Sequence, residues 1–456
     1  MAFQNITNLS LGNILQIYYS DGIRNQISRD YQDWEYIKRE KISDPKGRQI
    51  DFYFQTSLGP SAIQRRNPGV VSTFPTAQRV STSEHTAVVK EIQATIELDY
   101  NLWKRAEMSS DVRYAEPLKI EMESKLDALK RQLSLELHLD GTGVLGQLSA
   151  GAMTASGSNI VFQLDTSKRG HVGAFQYDEI LTLALADGNA SVAESDTGVV
   201  PAHYIVVDRD FDNNTVTLKP VDSNLNPVAV GALLQNVNDE AFYKYGQPTK
   251  PILGSIVDYG SASEAIPGLE SLTANDGRKV HGITMSGATG GTRVQAISGA
   301  DTSFDSADFE KILNKLKINV GSGAYSYKQA LLAPKRYSEL INARDDDRRF
   351  NASENLKNGA KAFSYMHRND EVELTSSEFA KDTRVYIMPE AKNGQGKVIE
   401  YHGTDFMPVK APNGSEFHLK AASGIGGGFE NTIVSYMDSY GTLICKHPAA
   451  VGVIEI

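Results

Sequence analysis

Three aspartates at alternate positions, Asp208, Asp210 and Asp212, come closest in this sequence to a chemical site. Oxygen ligands at every second residue begin a calcium-binding loop, which requires glycine at its sixth position and a bidentate glutamate at its twelfth. Those positions hold Asn213 and Lys219 here. We therefore interpret the segment as a hairpin turn between two strands and predict no metal site.

Other catalytic patterns are missing from the sequence. It has no Gly-x-x-x-x-Gly-Lys-Ser/Thr phosphate loop, no Gly-x-Ser-x-Gly nucleophile elbow and no His-Glu-x-x-His zinc motif. The run Gly424-Ile-Gly426-Gly-Gly428 departs from the dinucleotide-binding fingerprint at its final glycine. The nine histidines are scattered without the spacing of metal ligands. We expect a protein that is not an enzyme and holds no cofactor.

Composition narrows the class of protein further. The formal net charge of -10 argues against a nucleic-acid reader, because such proteins neutralise phosphates with Lys and Arg. The net charge does not exclude a protein layer that encloses DNA without binding it tightly. No apolar run approaches the roughly 20 residues of a membrane span. The single Cys445 cannot form an internal disulfide, which fits a protein made in a reducing compartment.

A long hairpin is predicted in the first hundred residues. Alternation of apolar and polar residues over 50–54 and again over 88–100 indicates two half-buried strands. Residues 57–85 lie between them, far more than the two to five residues of an ordinary hairpin loop. We interpret the hairpin as an arm that lies over a neighbouring subunit. A flexible loop without such a contact is the alternative. The predicted contact residues on this arm are Arg65, Arg66, Phe74 and Arg79.

One long helix should follow the hairpin. Pro117 is tolerated in a first helical turn, and glycines at 141 and 143 allow a left-handed end after Asp140. At 1.5 Å per residue this helix would be about 35 Å long. Its apolar stripe consists of Leu118, Met122, Leu126, Leu129, Leu133 and Leu137.

Residues 145–255 change character, with short strand-like runs between Gly, Asn and Asp turns. We predict a small β-barrel or sandwich here. The strands that we expect are Ile180–Leu185, Tyr204–Val207 and Thr215–Leu218, the last two joined by a turn at Asp212-Asn213-Asn214.

From residue 303 the pattern mixes helices and strands. A helix should begin at Ser306, with Phe309, Ile312, Leu313 and Leu316 as its buried stripe. A short buried strand, Ala330–Ala333, precedes a helix opened by Pro334. The later strands that we predict are Arg384–Met388, Val398–Tyr401, Asn431–Met437, Thr442–Cys445 and Val451–Ile456.

Two further groups of residues are candidates for contacts between chains. Trp34 and Tyr36 are aromatic residues in a polar segment, where local packing is the alternative interpretation. The run Asp345-Asp346-Asp347-Arg348-Arg349 follows a predicted helix and would be either a solvent-exposed surface or a contact between subunits. In a contact it would pair with the same segment of a symmetry mate, since complementary charges fix the register.

The order of these parts resembles the Hong Kong 97-type major capsid proteins of tailed bacteriophages. The parts are an N-terminal arm, a long hairpin, a long helix ending in Asp-Gly-Thr-Gly, a β-rich insert, and an α/β region with closing strands. The residues that carry the resemblance are Ile92–Asp99 running into Tyr100-Asn-Leu-Trp, the helix Pro117–Asp140, Ala330–Tyr337 and Gly441–Pro448.

The resemblance implies an α+β capsid fold with an inserted small β-barrel. Its parts would be an N-terminal arm, an extension loop, the spine helix with the start of the peripheral domain, the insertion domain, a connecting segment of the peripheral domain, an axial domain and closing strands. The corresponding residues are 1–47, 48–100, 101–144, 145–255, 256–302, 303–430 and 431–456.

The resemblance also implies a function. The chain would assemble with itself, as hexamers and pentamers, into an icosahedral head around double-stranded DNA. Assembly would take place in the host cytoplasm, with scaffolding and portal proteins and, in some relatives, a decoration protein. Some relatives crosslink a lysine of the extension loop, but residues 57–85 contain none. Met1 is present, so we expect no removal of an N-terminal segment. An encapsulin-like compartment with a protein cargo, or a β-rich tail or adhesin protein, are the alternatives.

Overall fold

The computed structural model of the 456-residue chain describes most of its predicted strands and part of its helices. The residues that it describes are 33, 37–41, 49–57, 81–99, 128–165, 170–185, 203–222, 225–228, 240–244, 258, 265–274, 277–285, 295–298, 304, 306–320, 325–345, 363–367, 370–391, 396–404, 407–408, 418–421 and 429–456.

Strands dominate these residues. In chain order they are β1 (Lys38–Lys41), β2 (Gln49–Ser57), β3 (Ser81–Val88), β4 (Lys90–Asp99), β5 (Gly146–Ser156), β6 (Asn159–Leu164), β7 (Ile180–Leu185), β8 (His203–Asp210), β9 (Thr215–Val221), β10 (Glu240–Lys244), β11 (Lys279–Val280), β12 (Ile283–Thr284), β13 (Gln295–Ser298), β14 (Tyr325–Leu332), β15 (Phe363–His367), β16 (Asp370–Ser376), β17 (Arg384–Ala391), β18 (Gly396–Lys397), β19 (Ile399–Gly403), β20 (Met407–Pro408), β21 (His418–Ala421), β22 (Phe429–Cys445) and β23 (Gly452–Glu455).

The described helices are fewer, so the chain is an α+β protein with mixed sheets. They are α1 (128–138), α2 (Leu269–Leu272), α3 (Ser306–Val320) and α4 (Pro334–Asp345), with 3-10 turns at Val172–Ala174 and Pro448–Ala450. The predicted starts at Ser306 and Pro334 are confirmed. Within the described part of the chain, no helix has the length and apolar character to cross a bilayer.

The predicted hairpin pairs differently from the expectation. β2 pairs antiparallel with β3, not with the strand that begins at residue 88. That later strand, β4, instead pairs antiparallel with β22. Residues 81–85, expected in the loop, therefore belong to the second leg of the hairpin. The predicted alternation is confirmed where side chains are described, since Phe52 is buried whereas Tyr53 is 68% exposed.

The long strand β22 organises one sheet of six strands. Along one edge it pairs in succession with β21, β20 and β19, and along the other with β4. β1 adds to the far side of β19 in parallel. The sequence predicted two strands here, Asn431–Met437 and Thr442–Cys445, and that division is wrong, because the chain stays extended through Gly441.

A second sheet, in the order β13-β23-β17-β14-β16-β15 with β18 on β17, is buried on both faces at its centre. Tyr386 and Met388 of β17 pack into one core. Val385 and Ile387, which alternate with them along the strand, pack into another core with α3. Burial of both faces explains why this strand is a continuous apolar run. The stripe predicted for α3 is fully buried in the same core, namely Phe309, Ile312, Leu313 and Leu316.

Six strands between Gly146 and Lys244 close into a barrel in the order β10-β5-β6-β9-β8-β7. β10 pairs with both β5 and β7, which removes the free edges of this sheet. Its interior is filled by aromatic rings in edge-to-face contact, among them Phe162, Tyr204 and Phe242. The start and end of the barrel lie side by side, since Gly146 is opposite Phe242.

Helix α1 connects the cores of the body and the barrel. Leu129, Leu133 and Leu137 pack toward the body, as the predicted stripe requires. Leu135 and Leu139 pack into the barrel core, a second apolar face that the stripe did not include. The helix ends at residue 138, two residues before the predicted end at Asp140, and Gly141 follows with a φ of +83°. A Cβ there would lie 2.8 Å from Cα of Pro267, so the position also requires glycine for close packing.

Candidate assembly surfaces and buried joints

The hairpin of β2 and β3 has one polar, solvent-facing side. The Tyr53 hydroxyl donates to Glu84 Oε1 at 3.1 Å, and the Thr86 hydroxyl donates to Asp51 Oδ1 at 2.9 Å. The carboxylate of Glu84 raises the pKa of Tyr53, because it accepts the phenolic hydrogen bond and repels a phenolate. This side is therefore acidic and rich in hydroxyl groups.

The opposite side of the hairpin is anchored to the body by Phe52. Its ring centroid lies 6.1 Å from the ring of His85 and 6.1 Å from that of His281. His281 is buried, adopts a φ of +53°, and its Nε2 lies 3.0 Å from the carbonyl oxygen of Leu443. Burial lowers the pKa of both histidines, so each favours its neutral form in this joint. Asp258 lies close by, where its carboxylate accepts from the backbone N–H of Gly282.

The sheet formed by β4 and β22 presents a second polar surface, which we name the acidic face. Three cross-strand pairs on one side of the two strands make it up, namely Glu91 with Tyr440, Gln93 with Asp438 and Thr95 with Tyr436. The Tyr440 hydroxyl donates to Glu91 at 3.3 Å, and the Gln93 amide donates to Asp438 at 3.1 Å. Tyr436 is 37% exposed.

A buried carboxylate joins β1 to the six-stranded sheet. Glu400 of β19 is 1% exposed, and its carboxylate lies 2.7 Å from Lys446 Nζ and 3.6 Å from Lys38 Nζ. His402 Nε2 lies 3.0 Å from the same carboxylate. A buried charge needs partners of this kind to remain ionised. The cluster therefore holds the N-terminal strand against the body.

A second buried joint contains aspartate, histidine and serine. Asp33 Oδ2 accepts from the Ser377 hydroxyl at 2.7 Å and lies 3.1 Å from His138 Nε2. In a nucleophilic triad the carboxylate and the hydroxyl contact opposite nitrogens of the imidazole. Here both contact Nε2, and the His138 side chain is fully buried. The geometry is that of a structural joint among the N-terminal segment, α1 and the loop after β16.

The barrel is held to the body by a carboxylate between two arginines. Glu378 lies 3.0 Å from Arg131 of α1 and 3.7 Å from Arg209 of β8. The Arg131 guanidinium also lies over the Phe379 ring, which packs in the barrel core. Arg209 lies over two exposed aromatic rings, those of Tyr177 and Phe211.

The contact residues predicted from the sequence lie almost entirely outside the described residues. Asp345 is the last residue of α4, and the structure describes its backbone alone. The others remain predictions, namely Trp34, Tyr36, Arg65, Arg66, Phe74, Arg79, Asp346, Asp347, Arg348 and Arg349.

The three aspartates form a hairpin turn, as predicted. Asp210 Oδ1 accepts from the backbone N–H groups of Asp212 and Asn213, at the turn between β8 and β9. The hydrogen bond from the Asn213 side-chain amide, together with these backbone bonds, lowers the pKa of Asp210. Among the residues that the structure describes, no group of three His, Cys, Asp or Glu could hold a metal. Cys445 is buried, and burial raises the pKa of its thiol to about 12.

This chain is similar to known proteins in structure. No family model and no curated protein matches this sequence. The chain is similar to a chain of the cyanophage A-1(L) capsid asymmetric unit, with 10% identity, a TM-score of 0.44 and coverage of 100% of this chain and 95% of the other. A chain from Mycobacterium phage Cain gives 9% identity, a TM-score of 0.41 and coverages of 99% and 98%.

Phage capsids, the class of protein that the sequence resembles, are among the structures that match. Phage capsid structures match this chain over nearly its whole length. The holo-SrpI encapsulin complex from Synechococcus elongatus PCC 7942 is also similar, with 9% identity, a TM-score of 0.35 and coverages of 100% and 96%. At TM-scores below 0.5, the function has to be inferred from the residues of this chain.

Proposed function

We propose that this chain is the structural subunit of a tailed-phage head. Copies of it would form hexamers and pentamers that close into an icosahedral shell around double-stranded DNA, in the cytoplasm of a bacterial host. The fold would be of the Hong Kong 97 type, with the barrel as an inserted domain. Its role would be binding, without catalysis or a cofactor.

The hairpin of β2 and β3 is the observation that carries this proposal. The two strands form a sheet by themselves, and a two-stranded sheet in water is marginal at best. Phe52 and Ala87 anchor its base in the body core, while the side bearing Tyr53 is exposed. Residues 58–80 connect the far ends of the two strands. A neighbouring subunit is the surface that would stabilise such an arm.

The buried joints support the same role. The Glu400 and Asp33 clusters each fix an N-terminal residue onto the body through charged or polar contacts. A rigid subunit loses little entropy when it assembles. Weak contacts between subunits then suffice, because a closed shell repeats each of them many times. Scaffolding, portal and decoration proteins are the partners that we propose, with DNA held by enclosure.

Deletion of residues 60–80 tests the proposal. We expect the wild-type chain to form large particles on overexpression and the deletion variant to remain in small species on sedimentation, with an unchanged circular dichroism spectrum. A variant with a Gly/Ser segment of equal length in place of 60–80 is the control for chain length. Particle formation by the deletion variant at wild-type yield would contradict the proposed role of the arm.

The contents of the particles separate a phage head from an encapsulin-like compartment. A head filled during infection contains double-stranded DNA, whereas a compartment contains a second protein. Nuclease-resistant DNA in particles purified from infected cells would support the proposal. A stoichiometric protein cargo without DNA would instead assign the chain to compartments.

A further inference from the structure

The acidic face of β4 and β22 holds two carboxylates whose described partners are neutral. Glu91 accepts from the Tyr440 hydroxyl and Asp438 accepts from the Gln93 amide. The two carboxylates occupy diagonal positions on neighbouring strands, a spacing of roughly 7–8 Å between backbones. Partial burial raises the pKa of Asp438, and the charge of Glu91 raises it further. A cation placed against this face would relieve that repulsion.

A segment of this chain has the complementary composition. Residues 58–80 contain three arginines, Arg65, Arg66 and Arg79, and no aspartate, glutamate, lysine or histidine. This is a departure from the rest of a chain whose formal net charge is -10. Arginine suits such a face because its planar guanidinium can bind a carboxylate through two hydrogen bonds and stack on an aromatic ring.

The barrel shows that an arginine in this protein makes both kinds of contact at once. The Arg209 guanidinium lies 5.0 Å from the Tyr177 ring centroid and 5.3 Å from that of Phe211, and it approaches the Glu378 carboxylate to 3.7 Å. The acidic face offers the same chemistry to an incoming arginine, with tyrosine rings beside carboxylates.

We propose that the acidic face receives the arginine-bearing segment 58–80 of a second copy of this chain. This inference rests on the proposed shell function and names the surface that the arm contacts. The segment of the same copy is a poorer occupant, because it begins at the far end of β3. That strand of eight residues spans roughly 26 Å at 3.3 Å per residue, while β4 starts at its near end.

Charge reversal on both sides of the contact is the first test. We expect Glu91→Lys with Asp438→Lys, and separately Arg65→Glu with Arg66→Glu, to lower the particle yield at least about tenfold, with recovery when all four changes are combined in one chain. The matched control is Glu310→Lys with Glu371→Lys, which reverses two exposed carboxylates on α3 and β16. Circular dichroism of each variant verifies that it is folded.

The outcomes separate this inference from the proposed function. Wild-type particles together with an undiminished yield from Glu91→Lys with Asp438→Lys would overturn the inference and leave the shell function standing. Failure of the four-change chain to recover particles, while each pair of changes abolishes them, would also overturn it. A wild-type chain that forms no particles would remove the proposed function and the inference with it.

A cysteine pair gives a test that does not depend on assembly yield. The native Cys445 is 2% exposed, so engineered cysteines provide the reactive thiols. We expect particles of a Gln93→Cys and Thr73→Cys double variant, oxidised with copper phenanthroline, to give covalent dimers and higher ladders on non-reducing gels. Each single variant is the control. A crosslink confined within one chain, or no crosslink in intact particles, would contradict the proposal.

Discussion

At the scale of single residues, the sequence predicted local chemistry and missed the long-range joints. The aspartate turn was predictable because its hydrogen-bond partners lie within a few residues, and the glycine after α1 because the left-handed backbone after a helix favours glycine. His281 seemed one of several scattered histidines, since its acceptor, Leu443, is 162 positions away in the chain. Burial and pairing of such residues are decided by tertiary contacts that no local pattern records.

The histidines at the hairpin base make arm anchoring dependent on pH. An unfolded histidine takes up a proton near pH 6.5, but burial lowers the pKa values of His85 and His281 in the folded chain. The unfolded state therefore binds more protons as the pH falls below about 6.5, and the folded joint loses stability over that range. We expect faster amide hydrogen exchange in β2 and β3 at pH 5 than at pH 7.5, after correction for the intrinsic rate.

His281→Gln is the matched variant for this prediction. Glutamine can donate to the Leu443 carbonyl but does not titrate, so the pH dependence of exchange in β2 should shrink. The charged groups around the joint, Asp258 and Lys90, remain in the variant. An unchanged pH dependence in His281→Gln would show that the neighbouring carboxylate, or another histidine, controls the joint.

At the scale of elements, periodicity predicted strands well and their partners poorly. Alternation shows which residues of β2 and β4 share a face, but it does not show which strand each of them pairs with. In the structure β2 pairs with β3, and β4 pairs with β22. The break predicted within β22 has a similar cause. Gly441 resembles a turn residue, but it is needed because a Cβ there would lie 2.1 Å from the Tyr401 hydroxyl oxygen.

The turn after α1 allows a prediction with an internal control. Gly141 and Gly157 both have positive φ, +83° and +64°, so alanine at either position costs about 1–2 kcal/mol in backbone strain. A Cβ at Gly141 also meets Cα of Pro267 at 2.8 Å, whereas one at Gly157 meets nothing within 4 Å. Overpacking adds about 1–3 kcal/mol to Gly141→Ala alone. Denaturant unfolding measures the difference, and equal losses for the two variants would contradict it.

At the scale of the whole molecule, the chain crosses between sheets in ways that a linear division could not predict. The range 303–430 contains β14 to β17, which lie in one sheet, and β19 to β21, which pair with β22 in another. The domain boundaries therefore stay a prediction. The barrel was easier to foresee, because its strands are consecutive in sequence and its two ends meet beside α1.

Electron microscopy of the purified full-length chain tests the central claim most directly. The claim is that an arm anchored at Phe52, whose two described strands form a sheet by themselves, makes the chain a shell subunit. We predict closed particles of uniform diameter with icosahedral symmetry, in which density for the arm of one subunit lies on its neighbour. Monomers or small oligomers under every ionic strength and concentration used for assembly would contradict the claim.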